Sequence, residues 1–261
     1  MIDCFVLLRF TIQQSRFLKK IFLGAFLTFC IGAIAQEYKY EPVSNKAEYY
    51  ISKFKGFSSY ADYKQWGMDA IEITNQTEKF ENMEIVLFTP LYNSDMSRHD
   101  VIWLSLWPSA TEQFAALEWW IKNGSSHMSK LPVENVQVID TWQWPISSPE
   151  GEMDIGAVRF SRCKLKDNIT PRTAFDAYKD FAAAAKEQGD NLGRKMIFPA
   201  SGGTEGDYDF VYSLYARNVA ELGAAADNYW ENINGSDADL ALGEVIEGCS
   251  NYSTYTTDKI K

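Results

Sequence analysis

Two short segments decide the fold of this chain, because they resemble each other: residues 100–107 read DVIWLSLW, and residues 209–216 read DFVYSLYA. They lie 109 positions apart, and each alternates between two sets of side chains as a β-strand does. The same spacing continues without a gap into the helix-like stretch that follows, where it aligns Glu112 with Glu221. A strand and a helix matched in this way indicate an internal repeat.

Other parts of the chain repeat in the same order. Three more pairs of segments match: 49–55 with 158–164, 60–66 with 175–181, and 138–140 with 245–247. A Pro/Ser/Gly-rich stretch at 145–151 is typical of a linker between the copies. The sequence therefore predicts two diverged copies of one α+β unit of about 110 residues. Repeat one is expected at 36–147 and repeat two at 148–261.

Each copy is predicted to follow the order β-α-β-β-α-β, which is the ferredoxin-like motif. The elements predicted in repeat one are strand 49–54, helix 58–76, strands 83–92 and 100–107, helix 110–122 and strand 136–144. Those of repeat two are strand 157–165, helix 173–188, strands 195–199 and 210–215, helix 219–230 and strand 243–252. Helices cover only one face of such a sheet, so the two apolar faces are expected to pack on each other.

The first 35 residues predict a secretory signal peptide. Basic residues such as Arg16 and Lys20 precede an apolar run at 21–35, which ends in Ala33-Ile34-Ala35. The run is shorter than the about 20 residues that a membrane span needs. We therefore expect export to a periplasmic or extracellular location, with an uncleaved anchor as the alternative.

The charge and the cysteines constrain partners and compartment. The formal net charge is −10, which repels phosphate backbones and anionic lipid, so neither nucleic acid nor a membrane surface is an expected partner. Without the leader, two of the four cysteines remain, Cys163 and Cys249. In an oxidising compartment they suggest one disulfide, with two separate buried thiols as the alternative.

Through these repeat pairs, over about residues 45–255, the sequence resembles the dimeric α+β barrel superfamily in a tandem-fused form. The resemblance implies a barrel with ligand-sized pockets, in which the chain is its own dimer partner and is expected to be a monomer. The superfamily includes cofactor-independent monooxygenases, isomerases and cyclases, haem enzymes and stress proteins, so no single reaction follows. It also implies that the first and fourth strands of repeat two are neighbours, which brings Cys163 and Cys249 within disulfide range.

Three side chains are candidate proton acceptors: Asp140, Glu247 and His99. Asp140 and Glu247 occupy equivalent places in apolar runs of the two fourth strands. If they face the barrel, burial would raise their pKa values and make them general bases, whereas paired or solvated acids are the alternative. His99 precedes a strand, and histidine ordinarily titrates near neutral pH, with a surface or loop histidine as the alternative.

Aromatic side chains suggest a ligand pocket. Trp103, Ser105 and Trp107 share one face of a strand, and we expect that face to line the lumen while the aliphatic face packs on helices. Trp142 shares a face with the candidate base Asp140, and Tyr212 is the counterpart of Trp103 in repeat two. Ordinary core packing is the alternative. Repeat one carries both histidines, so we expect it to supply the site.

Three functions remain open. The chain contains no H-E-x-x-H, C-x-x-C, G-x-S-x-G or EF-hand pattern, and neither a metal nor a cofactor is predicted. Aromatic faces without a recognisable catalytic set favour an exported module that binds a small apolar or aromatic ligand. The alternatives are a cofactor-independent monooxygenase- or isomerase-like enzyme and an exported structural or interaction protein. The sequence does not decide whether the chain is an enzyme.

Overall fold

The structure, a computed structural model, describes residues 37–152, 155–203 and 206–261. The predicted signal peptide at 1–35 lies outside these residues. Residues 38–261 form one unit to which both repeats contribute. In the described ranges, no helix is long and apolar enough to cross a membrane.

Repeat one has the predicted order of elements. They are β1 (Asn45–Phe54), α1 (Tyr60–Thr74), β2 (Glu84–Tyr92), β3 (Val101–Trp107), α2 (Ala110–Asn123), the short α3 (Ser125–Met128) and β4 (Val133–Ser147). Side-chain capping hydrogen bonds mark where α1 and α2 begin. Ser59 and Asp62 form a reciprocal capping box on α1, and the Ser109 side chain accepts a hydrogen bond from the backbone N–H of Glu112 on α2.

Repeat two follows the same plan, with a π-helical turn and a further short helix before its last strand. Its elements are β5 (Gly156–Leu165), α4 (Pro171–Glu187), β6 (Gly193–Ser201), β7 (Phe210–Ala216), α5 (Val219–Asn228), a π-helical turn (Tyr229–Ile233), α6 (Asp237–Gly243) and β8 (Ile246–Lys259). The last strand was expected at 243–252. It begins later because Ser236 accepts a hydrogen bond from the Asp239 N–H and starts α6, which the sequence prediction missed.

The eight strands form one closed antiparallel barrel in the order β1-β3-β2-β8-β5-β7-β6-β4. Within each repeat the order is that of a ferredoxin-like sheet. The repeats join through two seams, β2 with β8 and β4 with β6, in which Thr89 pairs with Thr256 and Trp142 with Phe198. The predicted fold class, two ferredoxin-like repeats forming an intramolecular α+β barrel, is confirmed.

Both faces of the barrel wall are covered. On β1, Ala47, Tyr49 and Ile51 pack in the apolar cluster that fills the lumen. The alternate residue Tyr50 packs outward, in the cluster that includes residues of α1 and α2. Successive side chains of a strand point to opposite faces, so each strand separates a lumen environment from a helix-covered one. This division determines which residues can meet a ligand in the barrel.

The predicted disulfide is confirmed. Cys163 on β5 and Cys249 on β8 are directly paired across the ladder, with their Cα atoms 4.1 Å apart, and they form a disulfide bond. It ties the first strand of repeat two to the last strand of the chain, beside the seam with β2.

The disulfide should contribute measurably to stability. Replacing both Cys163 and Cys249 by Ala should lower the free energy of unfolding by about 2–4 kcal/mol, because the bond restricts a long loop in the unfolded chain. Denaturant unfolding of the oxidised protein and of the double variant measures this difference. Alkylation of the unreduced protein should leave both cysteines unmodified, and labelling of these two positions would contradict the assignment.

Candidate functional site

A cavity of about 530 Å³ occupies one end of the barrel. Its walls come from both repeats, which corrects the expectation that repeat one alone supplies the site. Tyr49 belongs to repeat one, whereas Phe160 and Tyr255 belong to repeat two. Their rings contact one another, with Tyr49 and Phe160 edge to face at 6.0 Å and Phe160 and Tyr255 edge to face at 5.9 Å. The closed barrel is therefore what assembles this site.

His99 lies in the loop between β2 and β3 and lines this cavity. The backbone of its neighbour Asp100 donates to the Ser52 carbonyl at 2.9 Å, and the Asp100 carboxylate accepts from the Phe54 N–H at 2.8 Å. These bonds hold the loop against β1. His99 is therefore a loop histidine, as the alternative reading expected, but it is not on the surface, since it is only 5% exposed and stacks on Tyr255.

The ring nitrogens of His99 are available to a bound ligand. Neither ring nitrogen has a hydrogen-bond partner among the described residues. Burial lowers the pKa of His99 below its ordinary value of 6.5, and the nearby positive charge of Arg98 acts in the same direction. The ring is therefore mostly neutral at pH 7. A neutral, buried imidazole beside a cavity is a proton acceptor, so the catalytic assignment of His99 stays a prediction that this geometry allows.

A polar chain reaches the cavity from the opposite part of the lumen. The Lys195 ammonium donates to the Gln143 amide oxygen at 3.2 Å, and the Gln143 amide NH₂ donates to the Tyr49 hydroxyl oxygen at 2.7 Å. Desolvation lowers the pKa of Lys195 to about 8 and raises that of Tyr49. Since Tyr49 accepts from Gln143, its own hydroxyl proton can be donated to a ligand.

Asp140 does not face the lumen, which corrects the sequence-based expectation. It lies on the outer face of β4, where its carboxylate forms a 2.6 Å ion pair with Lys46. Lys46 is 2% exposed, so its charge needs this partner. The inward face of β4 carries Ile139 and Thr141 instead, both of which line the cavity. Asp140 therefore balances a buried charge.

Glu247 is also outside the barrel. Its side chain on β8 is 57% exposed, and its nearest cation is Lys164 at 3.8 Å. Glu247 lines neither the barrel cavity nor the helix-side pocket described below. The expected burial of this acid in the barrel is wrong, because the start of β8 carries it toward solvent.

The tryptophan-rich face of β3 points away from the lumen. Trp103 and Trp107 pack among the outer residues of repeat one, whereas Ile102 and Leu104 lie in the lumen cluster. The prediction for β3 is therefore reversed: its tryptophan face packs outward, and its aliphatic face points into the lumen. Both faces of β3 are buried, so alternation shows which residues share a face but not which face points inward.

The remaining predicted ligand residues are likewise outside the lumen. Tyr212 on β7 stacks on Tyr178 of α4, with ring centroids 4.9 Å apart. Trp142 on β4 is 38% exposed, and the Lys46 ammonium lies 4.7 Å from the centre of its ring. Neither lines the barrel cavity.

A second, smaller cavity of about 300 Å³ lies outside the barrel wall, between the sheet of repeat one and α1 and α2. We call it the helix-side pocket. Trp103, Ser105 and Trp107 all line it. Their role as ligand contacts thus stays a prediction, but for this pocket and not for the lumen.

Sequence reasoning missed the residues that the loops and the second repeat bring to the barrel cavity, namely Arg98, Arg162, Phe160 and Tyr255. A signal existed in the polar stretch that joins β2 to β3, Asn93-Ser94-Asp95-Met96-Ser97-Arg98-His99. A loop of this length at a barrel end is a common position for functional residues.

The second histidine is used structurally. His127 on α3 has its Nε2 atom 3.0 Å from the Trp66 carbonyl oxygen, and its ring stacks on the Trp66 indole at 4.6 Å. The ring of His127 is thus held in place by α1. In the described ranges, no group of three or more His, Cys, Asp or Glu side chains is arranged to hold a metal ion.

The first of two comparisons with solved structures supports the fold. A protein from Lactobacillus acidophilus NCFM, provisionally described as a monooxygenase, superposes with a TM-score of 0.54 at 9% identity, covering 83% of this chain and 94% of that chain. A mutant chlorite dismutase from Candidatus Nitrospira defluvii in complex with cyanide gives a TM-score of 0.46 at 10% identity, covering 84% and 92%. No family model and no curated protein sequence matches the chain.

At these identities the similarity shows the fold alone. The chain has the fold of the dimeric α+β barrel superfamily, with both halves of the barrel in one polypeptide. The activity has to be argued from the site itself.

Neutral substitutions of Asp140 and Glu247, the two acids predicted as bases, should change the free energy of unfolding by different amounts. Asp140→Asn leaves the buried Lys46 without its counter-charge and should lower the free energy of unfolding by about 3 kcal/mol. The matched control Glu247→Gln removes an exposed charge and should change it by less than about 0.5 kcal/mol. Denaturant unfolding of both variants measures the contrast, and equal losses would contradict the structural role of Asp140.

Proposed function

We propose that this protein binds a small aromatic molecule in the barrel cavity and removes a proton from it, with His99 as the base. The observation that carries the proposal is a buried, neutral imidazole whose two nitrogens have no partner among the described residues. An unpaired buried polar group is costly, and it is retained where a ligand completes it. This proposal is the enzyme alternative of the sequence analysis.

The cavity favours an aromatic ligand. Its volume of about 530 Å³ is typical of a small-molecule site, and its walls are mostly apolar. Phe160 and Tyr255 supply ring surfaces, while Tyr49 adds a hydroxyl that can donate to the ligand. Offset and edge-to-face ring contacts would hold a flat ligand in these surroundings.

The charges at the cavity favour an anionic product. Arg98 and Arg162 line the cavity, and Asp95 is the one acid among the described residues that line it. The Asp95 carboxylate accepts bonds from the backbone N–H and the hydroxyl of Ser97, at 2.9 and 2.6 Å, which hold it in the loop. The positive charges of these two side chains would stabilise the anion that forms when the ligand loses a proton.

The geometry thus supports a definite first step. His99 takes a proton from an acidic C–H or O–H of the bound molecule, Tyr49 donates a hydrogen bond to the resulting oxyanion, and the arginines offset its charge. Cofactor-independent isomerases and monooxygenases both begin with such an anion. The shared fold with a protein described as a monooxygenase is compatible with this class, although it establishes no activity. Proton transfer itself needs no cofactor, and the absence of a cofactor stays a prediction.

Export and a monomeric state belong to the same proposal. The Cys163–Cys249 disulfide supports an oxidising compartment. Because β2–β8 and β4–β6 close the barrel within one chain, no second copy is required to complete the cavity.

Ligand binding without turnover is the second candidate. It is favoured by one observation: among the described residues, no carboxylate is hydrogen-bonded to His99 to orient its ring. Catalytic histidines commonly have such a partner. A ligand that binds and keeps its proton would support this second function.

A phenol that changes colour on ionisation, such as 4-nitrophenol, separates the two. At a mildly acidic pH where the free probe is mostly protonated, the wild-type protein should bind it and increase its ionised fraction. His99→Ala should lose this increase, while the control His127→Gln, which alters the other histidine, should retain it. With a true substrate, His99→Ala should reduce the rate by about 10²- to 10⁴-fold. Visible absorbance titrations provide the measurement.

The pH dependence has a defined sign. Because the pKa of His99 is lowered, its basic form is present at pH 7 and is lost only as the pH falls through a value below 6.5. In the wild type, the ionised fraction of the bound probe should therefore decrease as the pH falls through that value. An His99→Ala protein that ionises the probe as well as the wild type would overturn the proposal.

A further inference from the structure

The helix-side pocket has walls made largely of aromatic rings. They belong to Tyr50, Tyr63, Trp66, Trp103, Trp107 and Trp120. The Trp103 indole N–H donates to the Ser105 hydroxyl at 2.9 Å, so this tryptophan offers the pocket only its hydrocarbon ring. In α1, Gly67 leaves room for that ring, since a Cβ there would lie 2.7 Å from Trp103.

One charged side chain, Glu48 on β1, stands among the described residues that line this pocket. It is 6% exposed. The groups that donate to its carboxylate are all neutral: the Gln113 amide at 3.0 Å, the Trp107 indole N–H at 3.4 Å and the Tyr50 hydroxyl. Neutral donors hold a carboxylate in place without cancelling its charge.

The charges around Glu48 do not balance. The neighbouring cation Lys46 is taken by Asp140, at 2.6 Å. Gln113 also donates to Asp140 at 2.9 Å, so it joins the two acids without adding charge. On the outer face of the sheet, the two carboxylates of Glu48 and Asp140 therefore share one ammonium, that of Lys46. Burial raises the pKa of Glu48, the bonds from Gln113 and Trp107 act against this rise, and repulsion from Asp140 adds to it.

We propose that the helix-side pocket binds a small organic ammonium ion, with Glu48 as its counter-ion and the indole rings as its walls. A cation within reach of indole faces is attracted by their quadrupoles, and the attraction grows when water is excluded. The apolar walls suit the hydrocarbon part of such an ion. A metal cation fits less well, since it needs several oxygen ligands where this pocket offers one carboxylate.

This site is independent of the barrel cavity. The two lie on opposite faces of the sheet, and the described residues that line the barrel cavity include no tryptophan. Quenching of tryptophan fluorescence therefore reports on the helix-side pocket, whereas the colour of a bound phenol reports on the lumen. Either proposal can fail while the other stands.

A matched pair of probes tests the charge requirement. Phenyltrimethylammonium and its neutral isostere tert-butylbenzene have the same shape, so they differ in charge alone. Wild-type protein should bind the cation about tenfold more tightly, as judged by tryptophan quenching and calorimetry. Glu48→Gln should remove that preference and leave binding of the neutral probe unchanged. The control Glu134→Gln, an exposed acid on β4, should retain the preference.

A second variant guards against misfolding of Glu48→Gln. Trp120 is half-buried, so Trp120→Leu should fold, and it should weaken binding of the cation more than that of tert-butylbenzene. Circular dichroism and thermal unfolding check both variants. Equal affinity of the wild type for the two probes, no binding of the cation, or a preference that survives Glu48→Gln would each overturn the proposal.

Discussion

Closure of the barrel through the two seams between repeats is the constraint on which the rest of the structure depends. An isolated ferredoxin-like sheet would present two unpaired edges and one bare apolar face. Here β8 pairs with β2 and β6 pairs with β4, so the edges disappear and the bare faces become a lumen. The duplication thus supplies within one chain the partner that each half requires.

Closure also gives the central strands two buried environments. On β1 the inward residue Tyr49 lies in the lumen, while the outward neighbour Glu48 lies beneath α2. Each environment holds a notable polar group: His99 in the lumen has no hydrogen-bond partner among the described residues, and Glu48 outside it accepts from neutral donors. Such groups are costly in a packed interior, which is why both are interpreted as ligand contacts.

The sequence predicted the fold well because the evidence for it is local and repeated. Residues 100–107 and 209–216 established the duplication, and the strand order then placed Cys163 beside Cys249. The sidedness of the strands was not predictable in the same way. Trp103 and Ile102 are both buried, so their alternation is compatible with either orientation of β3. The orientation is settled by tertiary packing, in which Gly67 of α1 makes room for Trp103.

The candidate site was predicted less completely, because it is formed by residues distant in sequence. His99 was identified by its chemistry, but its burial depends on Tyr255, which arrives at the other end of the chain. Asp140 was identified by its apolar neighbours, although its actual partner Lys46 lies 94 positions away. The contact of His99 with Tyr255 follows from barrel closure, and that of Asp140 with Lys46 follows from the pairing of β1 with β4. Neither leaves a mark in a local sequence pattern.

Native-state hydrogen exchange, measured at two protein concentrations, tests the closed single-chain barrel most directly. Backbone amides at both seams, around the pairs Thr89–Thr256 and Trp142–Phe198, should open only with global unfolding, as should amides between β1 and β3. Their protection should not depend on protein concentration. Seam amides that open at a much lower free energy, or protection that rises with concentration, would contradict closure within one chain.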